Sequence, residues 1–120
     1  MKKHSVSTFV ILLCALLLSS NHAKAQNSKT KLLITVLDVS GKLVEGATVS
    51  IYSSEEDYQS RTNKLIEGKT DKKGRFQYKG LDTKPYFLDI KKDNLKNSEQ
   101  SANTGVLSEE RFNKFLITIK

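Results

Sequence analysis

The chain has 120 residues, 38% of them hydrophobic, with one cysteine, two histidines, no tryptophan and a formal net charge of +7. That length holds one domain of modest stability and leaves no room for a second. The basic balance points to anionic partners, but no aromatic residues interleave with the charge, which argues against nucleic acid.

Met1-Lys2-Lys3-His4 is a short basic segment, and Phe9 to Leu18 is an unbroken apolar run of ten residues. A bilayer span needs about twenty. The run is followed by small and polar residues ending in Ala23-Lys24-Ala25. This is the pattern of a secretory signal peptide over residues 1–25, cleaved to leave Gln26 first. Cys14 is not a lipidation site on this reading, because Leu13 precedes it and Ala15 to Leu18 continue the apolar run. Cleavage removes His4, His22 and Cys14. The charge falls to +4, since Lys2, Lys3 and Lys24 leave and no acid does. The remaining 95 residues hold no His, Cys or Trp and no transmembrane segment. Their fold must rest on apolar packing alone, without the disulfides common in small exported domains. A Ser-His-Asp triad, a Cys-His pair and an ordinary zinc site are excluded.

Residues 26–31 are polar and read as a flexible leader, and residues 32–120 as the folded domain. Leu32 to Val39 is the first strand, with Leu32, Ile34 and Val36 on one face and Leu33, Thr35 and Leu37 on the other. A strand apolar on both faces is expected to be covered on both sides. Ser40-Gly41-Lys42 turns the chain. In the second strand, Ala47, Val49 and Ile51 alternate with Thr48, Ser50 and Tyr52, a composition that suits a strand more than a helix. Residues 53–64 read as a polar loop. Its Glu55-Glu56-Asp57 cluster lacks the alternation and the glycine of a calcium loop, so it is read as solvated. Leu65 to Thr70 is a short strand.

The chain is organised around Thr70 to Ile90. Asp71-Lys72-Lys73-Gly74 is a tight turn, with an Asp able to bond its own backbone and a Gly for positive φ. Arg75 to Lys79 alternates strictly, placing Phe76 and Tyr78 on one face. Gly80-Leu81-Asp82 breaks the strand, with Leu81 folding over the core edge. Pro85 fits the start of the next strand, since it has no N–H. There Tyr86, Leu88 and Ile90 face inward, with Phe87, Asp89 and Lys91 opposite. Residues 91–105 are expected as a long loop or loose strand pair, a candidate for mobility or binding. Ser108-Glu109-Glu110 reads as a capped helical turn through Lys114. Phe115 to Lys120 is the last strand, with Phe115, Ile117 and Ile119 inward.

Strands at intervals of roughly 8–12 residues with turns between them indicate an all-β sandwich. The run Val36-x-Asp38-x-x-Gly41-x-x-Val44-x-Gly46-Ala47-x-Val49-x-Ile51 resembles the first hairpin of carboxypeptidase regulatory-like domains. Thr70-Asp71-x-x-Gly74-x-Phe76-x-Tyr78-x-Gly80-Leu81, followed by Tyr86-x-Leu88-x-Ile90, resembles their later strands. The resemblance covers about residues 32–91 and implies a seven-stranded immunoglobulin-like (prealbumin-like) β-sandwich. It does not import the activity of transthyretin-like hydroxyisourate hydrolases, which rely on histidines. Related collagen-adhesin repeats carry a Lys–Asn crosslink. Here Val36 and Leu37 stand where their lysine sits and Ile90 where their acid sits, although Lys31 and Asn113 lie in loosely similar regions.

No catalytic, metal-binding or cofactor-binding residue is assigned. Carboxylate pairs remain, but none is marked by an apolar setting that raises one pKa. The one binding signal is basic: Lys72, Lys73 and Arg75 crowd one turn, and Lys91 and Lys92 follow the strand after it. Outside the cytoplasm the available anions are lipid head groups, wall polymers and acidic glycans. The sequence thus predicts a periplasmic or secreted, non-catalytic interaction or structural module, acting in trans on a protein or glycan of the cell envelope. The alternative is a basic-surface binder of anionic envelope polymers.

Overall fold

The computed structural model describes residues 30–109 and 111–120. Seven strands form among them: β1 (Lys31–Leu37), β2 (Thr48–Tyr52), β3 (Ile66–Lys69), β4 (Arg75–Lys79), β5 (Phe87–Lys92), β6 (Leu95–Lys96) and β7 (Phe112–Thr118). They build two sheets, ordered β4-β1-β7 and β3-β2-β5-β6. β1 runs antiparallel to β4 and parallel to β7. β2 is antiparallel to β3 and β5, and β5 to β6. This is the all-β sandwich that the alternation predicts, with the seven-stranded, immunoglobulin-like arrangement that the resemblance implies. The expected signal peptide and residues 26–29 lie outside the described residues.

Period two fills the space between the sheets. Leu32, Ile34 and Val36 of β1 meet Val49 and Ile51 of β2, Leu88 and Ile90 of β5, and Ile117 and Ile119 at the end of the chain. All are buried, and each such side chain contributes about 1.5–3 kcal/mol relative to exposure. Leu81 does fold over the core edge. Tyr86 is buried too, and its hydroxyl accepts the Asp82 N–H at 3.0 Å, closing the 82–86 loop. Burial pushes the Tyr86 phenol up from its ordinary pKa. Phe76 lays its ring on the backbone of Gly68 in β3, so a side chain at position 68 would collide with that ring.

Two aspartate turns stand side by side at one end. Asp38 Oδ1 accepts the N–H groups of Ser40 and Lys42 at 2.9 and 3.0 Å, and Asp71 Oδ1 accepts those of Lys73 and Arg75 at 2.9 and 3.0 Å. Gly74 joins them. Its carbonyl accepts the Val36 N–H at 2.8 Å, and the Val36 carbonyl accepts the Val44 N–H at 2.9 Å.

Several boundaries differ from expectation. Thr30 is already buried and Lys31 opens β1, so the folded domain takes in the end of the expected leader. Val39 lies beyond β1 and is exposed. Residues 53–64 are not simply a loop, because they contain helix α1 (Glu55–Ser60). Ser54 caps it by accepting the Asp57 N–H at 3.1 Å, and Glu55, Glu56 and Asp57 occupy the first turn, where they complement the helix dipole. Residues 91–105 hold β6 and a 3-10 turn at Glu99–Ser101. The helical turn expected at 108–114 is replaced by a bend into β7. The Asn113 side chain accepts the Ser108 N–H at 2.8 Å and donates to the carbonyls of Ser108 and Lys31 at 3.0 and 3.2 Å. Those bonds satisfy the bend and tie it to β1, which favours extended backbone from Phe112 onward.

Candidate functional site

The predicted basic residues all lie at or near the end of the sandwich that carries the aspartate turns, but they face different ways. Lys72 and Lys73 are exposed on the turn before β4. Arg75 opposes Thr35 on the outer face of the three-stranded sheet. Lys91 opposes Thr48 on the outer face of the four-stranded sheet, on the other side of the molecule. Lys92 is tied down, its Nζ donating to the Glu45 carbonyl at 3.0 Å. Segment 45–47 links the two groups, since Gly46 also donates to the Thr70 carbonyl at 3.0 Å.

The alternation of β2 and β5 sends a second set of side chains to the outer face of the four-stranded sheet, and register sorts them into rows. Lys69, Thr48, Lys91 and Lys96 form a basic row; Glu67, Ser50 and Asp89 form an acidic one; Tyr52 and Phe87 form an aromatic one. Helix α1 covers the aromatic row. Tyr58 is buried against it, with ring centroids 6.1 Å from both Tyr52 and Phe87, and Ala102 completes this small second core. Beside α1 is a cleft of about 580 Å³ lined by Tyr58, Phe87, Glu99 and Asn103 among others.

Below the helix, the acidic row lines a polar crevice of about 320 Å³ together with Arg61, Lys64 and Lys91. Asp89 has a side chain only 8% exposed. Arg61 Nε stands 3.2 Å from its Oδ2 and Lys91 Nζ 3.7 Å from the same atom. Lys64 pairs with Glu67, and that bond, more than the bond from Ser50, holds the Glu67 carboxyl below its ordinary range. The crevice therefore offers a guanidinium, ammonium groups and hydroxyls for hydrogen bonding, while both carboxylates are committed to cations. The Lys64 pairing favours the ionised form of Glu67.

Sequence reasoning placed Asp89 on the outer side of β5 but missed the crevice. Arg61 is the reason: it reaches Asp89 from the end of a helix in a stretch whose composition reads as loop. Lys31 and Asn113 are adjacent in chain pairing yet face opposite ways. Asn113 bonds the Lys31 carbonyl at 3.2 Å, while the Lys31 ammonium lies 5.6 Å from the Phe112 ring centroid on the outer face, so the two side chains are not poised for a crosslink. Among the described residues, no helix is long and apolar enough to cross a membrane.

No protein-family model matches the chain, and no curated protein matches it in sequence. Solved structures do. The TIE protein of Bacillus anthracis superposes with a TM-score of 0.60 at 22% identity, over 78% of this chain and 18% of that one. The 3-chlorocatechol 1,2-dioxygenase of Rhodococcus opacus 1CP superposes with a TM-score of 0.50 at 10% identity, over 80% of this chain and 61% of that one. The shaft pilin SpaA of Lactobacillus rhamnosus GG gives 0.48 at 12% identity, over 75% of this chain and 48% of that one. The chain spans less than a fifth of the TIE protein and about half of the pilin. At such identities what the TIE protein and the dioxygenase share with it is the fold: this chain is a β-sandwich of the immunoglobulin-like, prealbumin-like kind.

Proposed function

We propose that the chain is an exported, non-catalytic interaction or structural module of the carboxypeptidase regulatory-like kind, acting in trans in the cell envelope. One observation carries the reading: the polar side chains that the fold buries are spent on the fold. Thr70 Oγ1 donates to the Val44 carbonyl at 2.6 Å and accepts the Ala47 N–H at 2.9 Å. Asn97 bonds the Ile90 N–H and the Leu88 carbonyl. Thr30 bonds the Leu81 carbonyl, Ser50 stands across from Glu67 in the β2–β3 register, and Asp89 is held by Arg61 and Lys91. A site that makes and breaks bonds keeps a nucleophile or acid available to its substrate, whereas these groups hold loops and strands. The aspartates and glycines of the two hairpin motifs are likewise turn residues, which supports a fold-level role for the matched positions.

The test is crosslinking in the native envelope followed by mass spectrometry. A periplasmic or secreted chain joined to discrete envelope proteins or glycans is the expected result. A chain confined to the cytosol, or one that turns over a substrate when purified, overturns the reading.

A second reading is favoured by Lys72 and Lys73, which stand exposed on one turn: a basic tip that holds anionic envelope polymers, with Arg75, Lys91 and Lys92 at the same end of the sandwich but facing other ways. Changing Lys72, Lys73, Lys91 and Lys92 to Gln should then abolish retention on such polymers at physiological salt, and unchanged retention refutes it.

A further inference from the structure

We propose that the outer face of the three-stranded sheet docks the protein flat on an anionic phospholipid surface. This deepens the interaction-module reading and rests on it only for access to a lipid surface.

The β1–β4 and β1–β7 registers place Lys31, Arg75, Lys79 and Lys114 on this one face, and every other position on it is apolar or uncharged. The ion pairs among the described residues use Arg61, Lys64 and Lys91, none of which lies here. Among the described residues, none of the four cations is held in an ion pair, and only Arg75 stands near a carboxylate, that of Asp71 in the turn before β4. The opposite side of the sandwich carries Glu67 and Asp89 on its sheet and Glu55, Glu56 and Asp57 on α1, but these are balanced there by Lys69, Lys91, Lys96, Arg61 and Lys64. Of the two outer faces, only β4-β1-β7 thus carries cations without matching acids on the same sheet, and a negatively charged plane orients the molecule with that face down.

Charge alone fits any polyanion, and the apolar residues select the lipid. Leu116 is 70% exposed and Phe112 40% exposed, both on this face and on either side of Lys114 along β7. A polymer chain neutralises the lysines but leaves Leu116 in water. A bilayer surface takes the cations at its head groups and the Leu and Phe side chains at the acyl boundary, the combination used by interfacial amphipathic elements. Lys31 lies over the Phe112 ring, so that cation and apolar surface meet the lipid together.

The test uses the processed, exported chain, its mass verified, with vesicles of phosphatidylcholine alone or containing roughly a third phosphatidylglycerol, a surface that attracts nearby basic residues. Co-sedimentation with the anionic vesicles only is expected, weakening as added salt shortens the screening length. Lys79→Gln/Lys114→Gln should weaken partitioning about 25-fold, from about 1 kcal/mol per basic residue. Leu116→Ser should weaken it several-fold, and Lys96→Gln, on the other sheet, should change nothing. These positions face solvent, and thermal unfolding checks that each variant is folded. Equal binding to neutral vesicles, or undiminished binding of the double variant, overturns the proposal. So does retention on polyphosphate alone that Leu116→Ser leaves intact, which assigns the face to a polymer, or salt-sensitive self-association without vesicle binding, which assigns it to a second copy. Failure on vesicles with crosslinking to an envelope partner retained removes the lipid face and leaves the module reading standing.

Discussion

Arg61 fastens helix α1 to the four-stranded sheet through Asp89, its Nε 3.2 Å from the carboxylate. It sits in the left-handed region at φ 56°, where it ends the helix. Its guanidinium lies 4.5 Å from the centroid of the Tyr58 ring and also donates to the Tyr58 carbonyl. One side chain thus ends the helix, stacks on its buried tyrosine and neutralises the carboxylate beneath it. Arg61→Ala leaves Asp89 with Lys91 alone and should cost about 1–3 kcal/mol, the range for a buried polar group losing a partner. A double-mutant cycle with Asp89→Asn, read by urea unfolding, should give a coupling of about 1 kcal/mol. A coupling near zero would mean that Tyr58 packing alone holds α1.

Gly74 and Gly80 form a natural comparison. Both have positive φ, 72° and 96°, but a Cβ on Gly74 would stand 2.9 Å from the Val36 carbonyl oxygen, whereas nothing lies within 4 Å of one on Gly80. Gly80→Ala should cost about 1 kcal/mol from backbone strain alone. Gly74→Ala should cost clearly more, about 2–4 kcal/mol, because it also forces apart the two aspartate turns. Equal losses in chemical denaturation would contradict the close approach.

Asn97 substitutes for a missing stretch of strand. It is buried, with Oδ1 accepting the Ile90 N–H at 3.0 Å and Nδ2 donating to the Leu88 carbonyl at 3.1 Å. Asn97→Ala leaves both backbone groups unpaired at the edge of β5 and should cost about 2–4 kcal/mol. Hydrogen exchange at the Ile90 amide should accelerate more than exchange at the Ile34 amide in β1.

The aspartate turns contribute to the acid limb of stability, together with Glu67. Hydrogen bonding holds both aspartate carboxyls below the ordinary range, chiefly from the Ser40 hydroxyl to Asp38 and from the Arg75 N–H to Asp71. The unfolded chain therefore binds protons first as pH falls. The stabilisation is complete above about pH 4 and is lost as pH drops through the lower folded values. Asp38→Asn/Asp71→Asn should flatten that limb in unfolding measured against pH.

Tyr86 contributes to the alkaline limb with the opposite sign, alongside Lys64, whose bond to Glu67 raises its pKa. Burial raises the folded pKa of Tyr86, with the Asp82 N–H bond opposing. Its contribution is full below about pH 10, the unfolded value, and is lost as pH rises through the folded one. Tyr86→Phe should reduce that decline, and a decline left unchanged would place its origin in the lysines.

Alternation by itself determined most of the fold. Val49, Ile51, Leu88, Ile90, Ile117 and Ile119 all read as inward, and all are buried, because a period of two leaves such a strand only one way to bury its apolar set. β1, apolar on both faces, buries Leu32, Ile34 and Val36 because the second sheet packs on that side. Asp71 to Gly74 is also a local matter, since the bonds of that turn lie within five residues. Helix α1 shows where local reading stops. Ser54-Glu55-Glu56-Asp57 carries the same cap-and-acid signature as Ser108-Glu109-Glu110, yet only the first becomes a helix. Tyr58 gives α1 a buried anchor against Tyr52 and Phe87, whereas Asn113 draws the second segment into β7 through bonds to Ser108 and Lys31. Isolated short helices are marginal, so the tertiary contact decides between two equal local signals. The surfaces are decided in the same way. Arg61 meets Asp89, Arg75 and Lys91 face opposite directions, and four cations share one sheet face with Leu116. Strand order and register bring those residues together or part them, and neither is written in the spacing of the chain.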